Sequence, residues 1–271
     1  MLEWKDNLIP YKYSFFIWYA RYIEKVKVKK SDFIVVESIV LKNMLIEKYS
    51  LNKTKIHVSL NAVNSTEFTD IINSTETNKW KDKFSNPKKI IVSYLGSFAF
   101  YHNCKLLVEA AKVLSNINPN IGILMVGDGK HKKECESLAN QYGLINNTIL
   151  FLPPVLKSEV PIILKASDIC VLPGSTDIIC PIKIMEYMAS GRATVAPNYA
   201  CNKEVIKQNE TGILFDADNI NSLVNVIHKL AEDSALRNKI GDNGQKYAVD
   251  YLSWKKTWGN TLKNILNETS D

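Results

Sequence analysis

Lys183 and Glu186 stand three residues apart in the stretch from Leu172 to Ala196, LPGSTDIICPIKIMEYMASGRATVA. A cation and a carboxylate one helical turn apart, beside the free N–H groups of a helix start, can hold an anion and orient hydroxyls around it. Such a helix N-terminus carries roughly +0.5 charge from its aligned peptide dipoles, which favours phosphate. The flanking residues predict that geometry. An apolar strand, Ile169 to Leu172, runs into the loop Pro173-Gly174-Ser175-Thr176-Asp177, and a helix is expected to open at Pro181, where a missing N–H costs nothing. Ile184, Met185, Met188 and Ala189 fall on one face of that helix, and Lys183, Glu186 and Ser190 on the other. Gly191 stops it, and Ala193 to Ala196 begins the next strand. The same spacing equally fits a surface Lys–Glu pair contributing about 0.2–0.5 kcal/mol. Spacing alone leaves both readings standing.

The elements that would position these residues form a regular series. Residues 11–29, YKYSFFIWYARYIEKVKVK, read as a helix nearly encircled by Phe15, Phe16, Trp18, Tyr19 and Tyr22, and hence as one packed on both sides rather than an interfacial anchor. Phe33 to Val36 is a short strand, Ser38 caps a helix reaching Tyr49, and Lys55 to Leu60 is another strand. From Ser65 to Pro87 the chain turns polar, as a linker would. Strands are then expected at Ile90–Leu95, Ile121–Val126, Thr148–Leu152, Ile169–Leu172 and Ile213–Phe215. Helices are expected after Asn103, at Lys130–Tyr142, around Pro161–Ala166, and at 219–231 and 234–250. Strand–helix alternation with apolar strands implies an α/β, Rossmann-like, doubly wound parallel sheet covered on both faces. Ligands of such sheets sit outside the carboxyl ends of the strands, where the strand order reverses. Gly96-Ser97, Gly127-Asp128-Gly129, Pro153-Pro154 and Gly174-Ser175 all follow strand ends, so four loops are expected to meet at one crevice.

Other chemistries find little support. Gly127 and Gly129 alone are not the G-x-G-x-x-G fingerprint, and no Ser–His–Asp order, metal-ligand cluster or Walker loop occurs. His102 reads as a loop histidine and Asp168 as a residue that orients a strand start. The five cysteines (Cys104, Cys135, Cys170, Cys180, Cys201) are odd in number and widely spaced, as buried thiols in a reducing compartment would be. Cys180, just before the key helix, reads as a small residue beside the ligand rather than a nucleophile. With 34 Lys+Arg against 28 Asp+Glu the net charge is +6, which suits an anionic ligand or an acidic membrane surface. Zinc-finger spacing, RNA-binding aromatics and a dense arginine stripe are all missing, so nucleic acid is not an expected partner. MLEWKDNLIP lacks the layout of a signal peptide, and no apolar run approaches the roughly 20 residues of a membrane span. A cytoplasmic chain follows, with any membrane contact peripheral, at the inner face.

The order of segments resembles a retaining glycosyltransferase of the GT-B fold, in family 4 of the glycosyltransferases. S-D-F-I-V-V-E-S is similar to the family's A-D-x-I-x-x-x-S strand, and N-A-V-N-S-T-E-F to its N-G-V-D-x-x-x-F. Y-L-G-S-F, L-L-V-E-A-A-K-V-L, L-M-V-G-D-G-K, A-S-D-I-C-V-L-P, P-I-K-I-M-E-Y-M-A-S-G-R-A-T-V-A and N-E-T-G-I-L-F-D match in turn, and Tyr251 to Trp258 is similar to the closing segment. The likeness runs from about Ser31 onward. It implies residues 1–64 as a remnant of an acceptor-side domain, 65–87 as a linker, 88–252 as a nucleotide-sugar-binding domain, and 253–271 as a helix crossing back toward the N-terminal segment.

The resemblance also implies roles. Glu186 would accept hydrogen bonds from the donor ribose, and Ile182 and Lys183 at the turn of Pro181 would hold the diphosphate with their N–H groups. Gly96 would let backbone approach the phosphates, and Pro154 and Val155 would meet the base. Asp177 and Ile178 would lie near the transferred sugar. Lys183, Glu186 and Asp177 are thus the candidate catalytic residues. Gly96, Ser97, His102, Gly127, Asp128, Pro154, Val155, Ile178, Pro181 and Ile182 are the candidate donor-binding ones. No metal or cofactor is called for, because the helix dipole and basic side chains neutralise the departing diphosphate. The expected donor is a nucleotide-diphospho-sugar, a UDP-sugar before a GDP-sugar, and the expected acceptor a glycan or lipid-linked glycan.

Some positions depart from the family pattern. The Glu usual eight residues before the one matched by Glu186 is Ile178 here, and the family's Arg and Lys of the first donor-domain loop fall at Ser97 and His102. A complete first domain, on the order of 150 residues, is also missing. A separate acceptor-binding subunit or a homo-oligomer would then supply the acceptor half. The rival expectation is a degenerate, non-catalytic nucleotide-sugar-binding module.

Overall fold

Ser38 caps a helix of the N-terminal segment: its hydroxyl accepts from the N–H of Leu41, 3.0 Å away. A computed structural model describes residues 14–69, 83–84 and 90–268. Helix α1 (Ser14–Lys30) leads into strand β1 (Ile34–Val36), helix α2 (Ile39–Tyr49) and strand β2 (Ile56–Val58). β1 and β2 pair in parallel, Ile34 opposite Ile56, over a small core of Val36, Leu41, Leu45, Tyr49 and Ile56. α1 is not packed on two sides as its sequence suggests. Trp18, Tyr19 and Tyr22 are 62%, 51% and 53% exposed, and among the described side chains of the helix it is Val28, near its C-terminal end, that meets that small core. The side chains of Phe15 and Phe16 lie outside the description. The expected linker lies mostly outside it too, but its start folds as helix α3 (Thr66–Thr69), with Phe68 buried.

The second sheet has six strands: β3 (Ile90–Leu95), β4 (Ile121–Val126), β5 (Ile149–Leu152), β6 (Ile169–Val171), β7 (Ala193–Pro197) and β8 (Ile213–Phe215). Their spatial order is β5-β4-β3-β6-β7-β8, all parallel. β3, β4, β6 and β7 are apolar runs buried at nearly every position, as strands covered on both faces must be. The covering helices are α4 (Cys104–Ile117), α5 (Lys132–Gln141), α6 (Val160–Ala166), α7 (Ile182–Ala189), α8 (Ala200–Lys203), α9 (Ile220–Glu232) and α10 (Ser234–Tyr251), with α11 (Asn260–Glu268) at the end. Leu106, Leu107, Ala110, Ala111 and Leu114 of α4 form the expected buried stripe. Asp168 orients a strand start as expected, its carboxylate accepting from the N–H of Ile91 at 2.8 Å. All five cysteines are free and buried.

The chain winds from β3 outward to β5, then returns across β3 to β6 and outward to β8. The strand order therefore reverses between β3 and β6, and a crevice opens there at the carboxyl ends. The N-terminal segment is tied to this unit at several points. Ser38 donates to the carbonyl of Ile178, and the N–H of Ile39 meets both carboxylate oxygens of Glu204 at 3.0 Å. Asn61 donates to the carbonyl of Cys180 at 3.2 Å, and Val63 N–H to that of Leu252 at 2.9 Å. Glu268, near the end of α11, stands 3.8 Å from His57 of β2.

Candidate functional site

Tyr187 joins α7 to the end of β3. Its hydroxyl accepts from the N–H of Leu95 at 3.2 Å and donates to the carbonyl of the same residue at 3.4 Å. This fixes α7 across the reversal point, with its first turn aimed at the loop after β3. Pro181 is the N-cap of α7 and not its first helical residue, so the helix begins one residue later than expected. Ser190 leaves the polar face assigned to it: it is buried and its hydroxyl donates to the Tyr187 carbonyl.

Lys183 then runs back over Gly96. A Cβ on Gly96 would stand 2.0 Å from Lys183 Cε, and φ there is +151°, a backbone conformation few side chains tolerate. The ammonium ends 3.1 Å from Nε2 of His102. The other ring nitrogen, Nδ1, is 3.3 Å from the carbonyl of Gly174, which can only accept. Nδ1 therefore carries the proton and Nε2 offers its lone pair to Lys183. Burial first, and the Lys183 charge second, hold the imidazole down to about 4 from an ordinary 6.5. Burial also lowers Lys183, opposed by Glu186. Lys183 and Glu186 are thus no surface ion pair: the ammonium meets a neutral ring, and Glu186 acts on it at longer range.

Around this pair lies a cleft of ≈ 680 Å³. Gly96, Ser97, Gly127 and Asp128 form one side, Ile182, Lys183 and Glu186 of α7 another, and Pro154, Val155, Lys157 and Val160 a third. The loops after β3 and β4 can close on each other because Gly127 has no Cβ, which would sit 1.9 Å from the Gly96 carbonyl oxygen. Lys132 clamps the loops after β4 and β5, donating to the carbonyls of Gly127 at 2.8 Å and Leu152 at 2.9 Å. Glu186 is pushed up by burial, against the pull of Lys183 and Lys157. The arrangement suits a ligand with a flat apolar end, vicinal hydroxyls and an anionic tail. The apolar end would meet Val155 and Val160, the hydroxyls Glu186, and the anion Lys183 and the start of α7.

Of the expected site residues, Gly96, Ser97, Gly127, Asp128, Pro154, Val155, Ile182, Lys183 and Glu186 line this one cleft. His102 touches it through Lys183. Pro181 caps the helix behind the lining. Ile178 packs against the small N-terminal core, with its carbonyl held by Ser38. Asp177, Gly174 and Ser175 line a second cavity, so the four loops meet at two compartments rather than one crevice. Cys180 is buried and does not line the cleft beside the expected ligand, and burial raises its thiol well above the usual range.

Sequence reasoning missed Glu67, Phe68 and Lys157, which also line the cleft. Glu67 and Phe68 stand in the N-S-T-E-F motif and could have been found there. Lys157, 3.6 Å from Glu67 and 83% exposed, carries no local signal.

A profile of glycosyl transferases group 1 matches residues 75–247. An uncharacterised glycosyltransferase of Methanocaldococcus jannaschii is 28% identical over 247 residues, 91% of this chain and 60% of that one. The UDP-Gal:alpha-D-GlcNAc-diphosphoundecaprenol alpha-1,3-galactosyltransferase of Escherichia coli is 26% identical over 210 residues, 73% of this chain and 53% of that enzyme. The chain thus spans between half and two thirds of the length of these relatives. Among solved structures, Anabaena HepE in complex with UDP and glucose superposes with a TM-score of 0.79 at 17% identity, over 92% of this chain and 66% of that one. That likeness shows a shared GT-B fold.

Proposed function

From the premise that this chain belongs to the glycosyl transferases group 1 family, we propose that it binds a nucleotide-diphospho-sugar in the cleft beside α7. It transfers the hexose, with retention and without a metal ion, to a glycan or lipid-linked acceptor. The observation that carries this reading is the meeting, in one cleft at the strand-order reversal, of two glycine-opened loops, the start of α7, Lys183 and Glu186. The diphosphate lies against the N–H groups of Ile182 and Lys183, where helix dipole and ammonium offset its charge. Glu186 accepts from the ribose hydroxyls. The base rests against Pro154 and Val155. The UDP-Gal used by the Escherichia coli relative and the UDP bound in the Anabaena structure support UDP over GDP as the carrier.

The remaining acceptor contacts come from a partner subunit or a second copy. No described helix is long and apolar enough to cross a membrane, and we place the protein in the cytoplasm, with peripheral contact to the inner face of the membrane.

Calorimetric titration with UDP, GDP and their sugar conjugates in metal-free buffer tests this. Micromolar binding of one nucleotide, weakened by about 1–3 kcal/mol in Glu186→Gln, supports it. Failure of every nucleotide to bind overturns it, and nucleotide binding without turnover of any sugar conjugate favours a degenerate, non-catalytic nucleotide-sugar-binding module. That second reading is favoured by Ser97 and a neutral His102 at the positions of two family cations, and by Ile178 in place of a Glu.

A further inference from the structure

The contact between His102 and the Gly174 carbonyl divides the carboxyl edge of the large sheet. On one side is the cleft over β3, β4 and β5. On the other is a compartment of ≈ 330 Å³ over β6, β7 and β8, at the lower end of the range for small-molecule sites. Phe100 and Tyr101 reach it from the loop after β3, Asp177 from the loop after β6, Tyr199 from that after β7, and Asp218 from that after β8. It lacks the ammonium groups that Lys157 and Lys183 bring to the cleft. Among the described residues no lysine or arginine lines it, and its two carboxylates repel phosphate. What it offers is aromatic rings beside carboxylates, the combination that suits a pyranose, with C–H faces for rings and vicinal hydroxyls for carboxylate oxygens.

The carboxylate of Asp218 is held in place. Asn103 Nδ2 donates to its Oδ1 at 2.7 Å, and both residues have left-handed backbones, at φ +43° and +58°. Asn103 caps α4 by position only, because its side chain has gone to Asp218 instead. Tyr199 feels both acids: its hydroxyl is raised by burial, then by Asp218 and Asp177. Phe100 is 41% exposed, with its neighbour Tyr101 edge-on at 5.4 Å. The loop that carries Asp177 runs directly into α7, whose first turn faces the proposed diphosphate.

We infer that this second compartment holds an uncharged pyranose of the acceptor, its ring against Phe100, Tyr101 and Tyr199 and its hydroxyls on Asp177 and Asp218. The word acceptor rests on the donor reading above, whereas the pyranose site itself does not. Saturation-transfer NMR on the full chain tests it with methyl α-glucopyranoside, methyl α-galactopyranoside and methyl N-acetylglucosaminide, UDP being present as an independent probe. The expected result is transfer to the ring C–H protons of at least one glycoside. That signal should fall at least fivefold in Phe100→Ala and in Asp218→Asn, with the UDP signal unchanged. Phe100 is exposed, and asparagine tolerates the left-handed backbone while still accepting from Asn103, so both variants should fold. A UDP signal without any glycoside signal overturns the compartment and leaves the donor reading intact. A glycoside signal that both variants retain also overturns it. A variant-sensitive glycoside signal without UDP binding upholds the pyranose site and removes the donor reading.

Discussion

The ammonium of Lys183 lies 3.1 Å from Nε2 of His102, 81 residues away in sequence, and this contact holds a charged side chain against a ring that must stay neutral. Between pH 6.5 and about 4 the unfolded chain takes up a proton that His102 in the fold refuses. The unfolded state then binds more protons, so stability falls as pH drops through that window, by up to about 3 kcal/mol. Burial of Glu186, whose carboxyl is raised, works in the opposite direction. Thermal unfolding from pH 7 to pH 4 should therefore show a flatter loss in His102→Gln than in the parent chain. Equal slopes would mean that His102 is not the group responsible.

Two glycine substitutions should differ in kind. In Gly96→Ala the new Cβ meets the far end of Lys183, which can swing away. The expected result is the loss of stability that the strained φ of +151° alone costs, about 1–2 kcal/mol, with about a tenfold loss of UDP affinity, about 1.4 kcal/mol. In Gly127→Ala the Cβ meets the Gly96 carbonyl, 1.9 Å away, and backbone cannot swing. That variant should lose more stability, about 2 kcal/mol or more, the range for over-packed or strained backbone sites. Denaturant unfolding beside calorimetry separates the two, and a reversed order of stability would refute this geometry.

Glu186→Gln keeps the shape of the side chain and removes its charge. It should weaken UDP by about 1–3 kcal/mol, the range for hydrogen-bond partners left unmet beside a charged group. Binding of inorganic pyrophosphate should change less, since the diphosphate contacts lie elsewhere. Equal losses for both ligands would place Glu186 at the phosphates instead.

Lys157 and Glu67 pair at 3.6 Å on the open rim, where such pairs add little stability. Lys157→Ala should leave the unfolding midpoint within the error of a surface change, about 0.5 kcal/mol. Its effect should appear as a few-fold weaker nucleotide affinity that converges with the parent value as salt rises. A salt-independent difference would show that Lys157 acts by shape rather than charge.

Ser38→Ala removes the cap of α2 and the bond to Ile178 together. A loss of about 1–2 kcal/mol is expected from the cap alone. Because Ile178 begins the approach to α7, hydrogen exchange should also rise across 176–182. Exchange confined to α2 would show that the two segments move independently.

The strands were legible because burial on both faces writes them as unbroken apolar runs. Ile90–Leu95 and Ile121–Val126 have the bounds their sequence suggests. Nine of the expected site residues share the cleft because eight follow a strand end or open α7 and Glu186 lies one turn further along the same helix face, and topology gathers such positions whatever their neighbours. Other relationships have no local signature. The path of Lys183 to His102 depends on a missing Cβ at Gly96, contributed by a different loop. Asp177 and Ile178 are adjacent, yet one faces a second compartment and the other the N-terminal core, a divergence that periodicity does not encode. The aromatics of α1 read as core, since sequence shows how many apolar residues a helix has but not how much surface waits to cover them.

The bond from Val63 to Leu252 has a mechanical consequence. The chain enters and leaves its larger unit at a single point, so that point is a pivot. Any small rotation of residues 14–62 about it leaves the pivot still and displaces the far rim most. Ser38 against Ile178 stands out along that lever arm, four residues before α7, whereas Asn61 against Cys180 sits beside the pivot. Tilting the smaller unit by a few degrees would therefore be felt at α7, the helix proposed to face the diphosphate, while the packing around Leu252 hardly registers it.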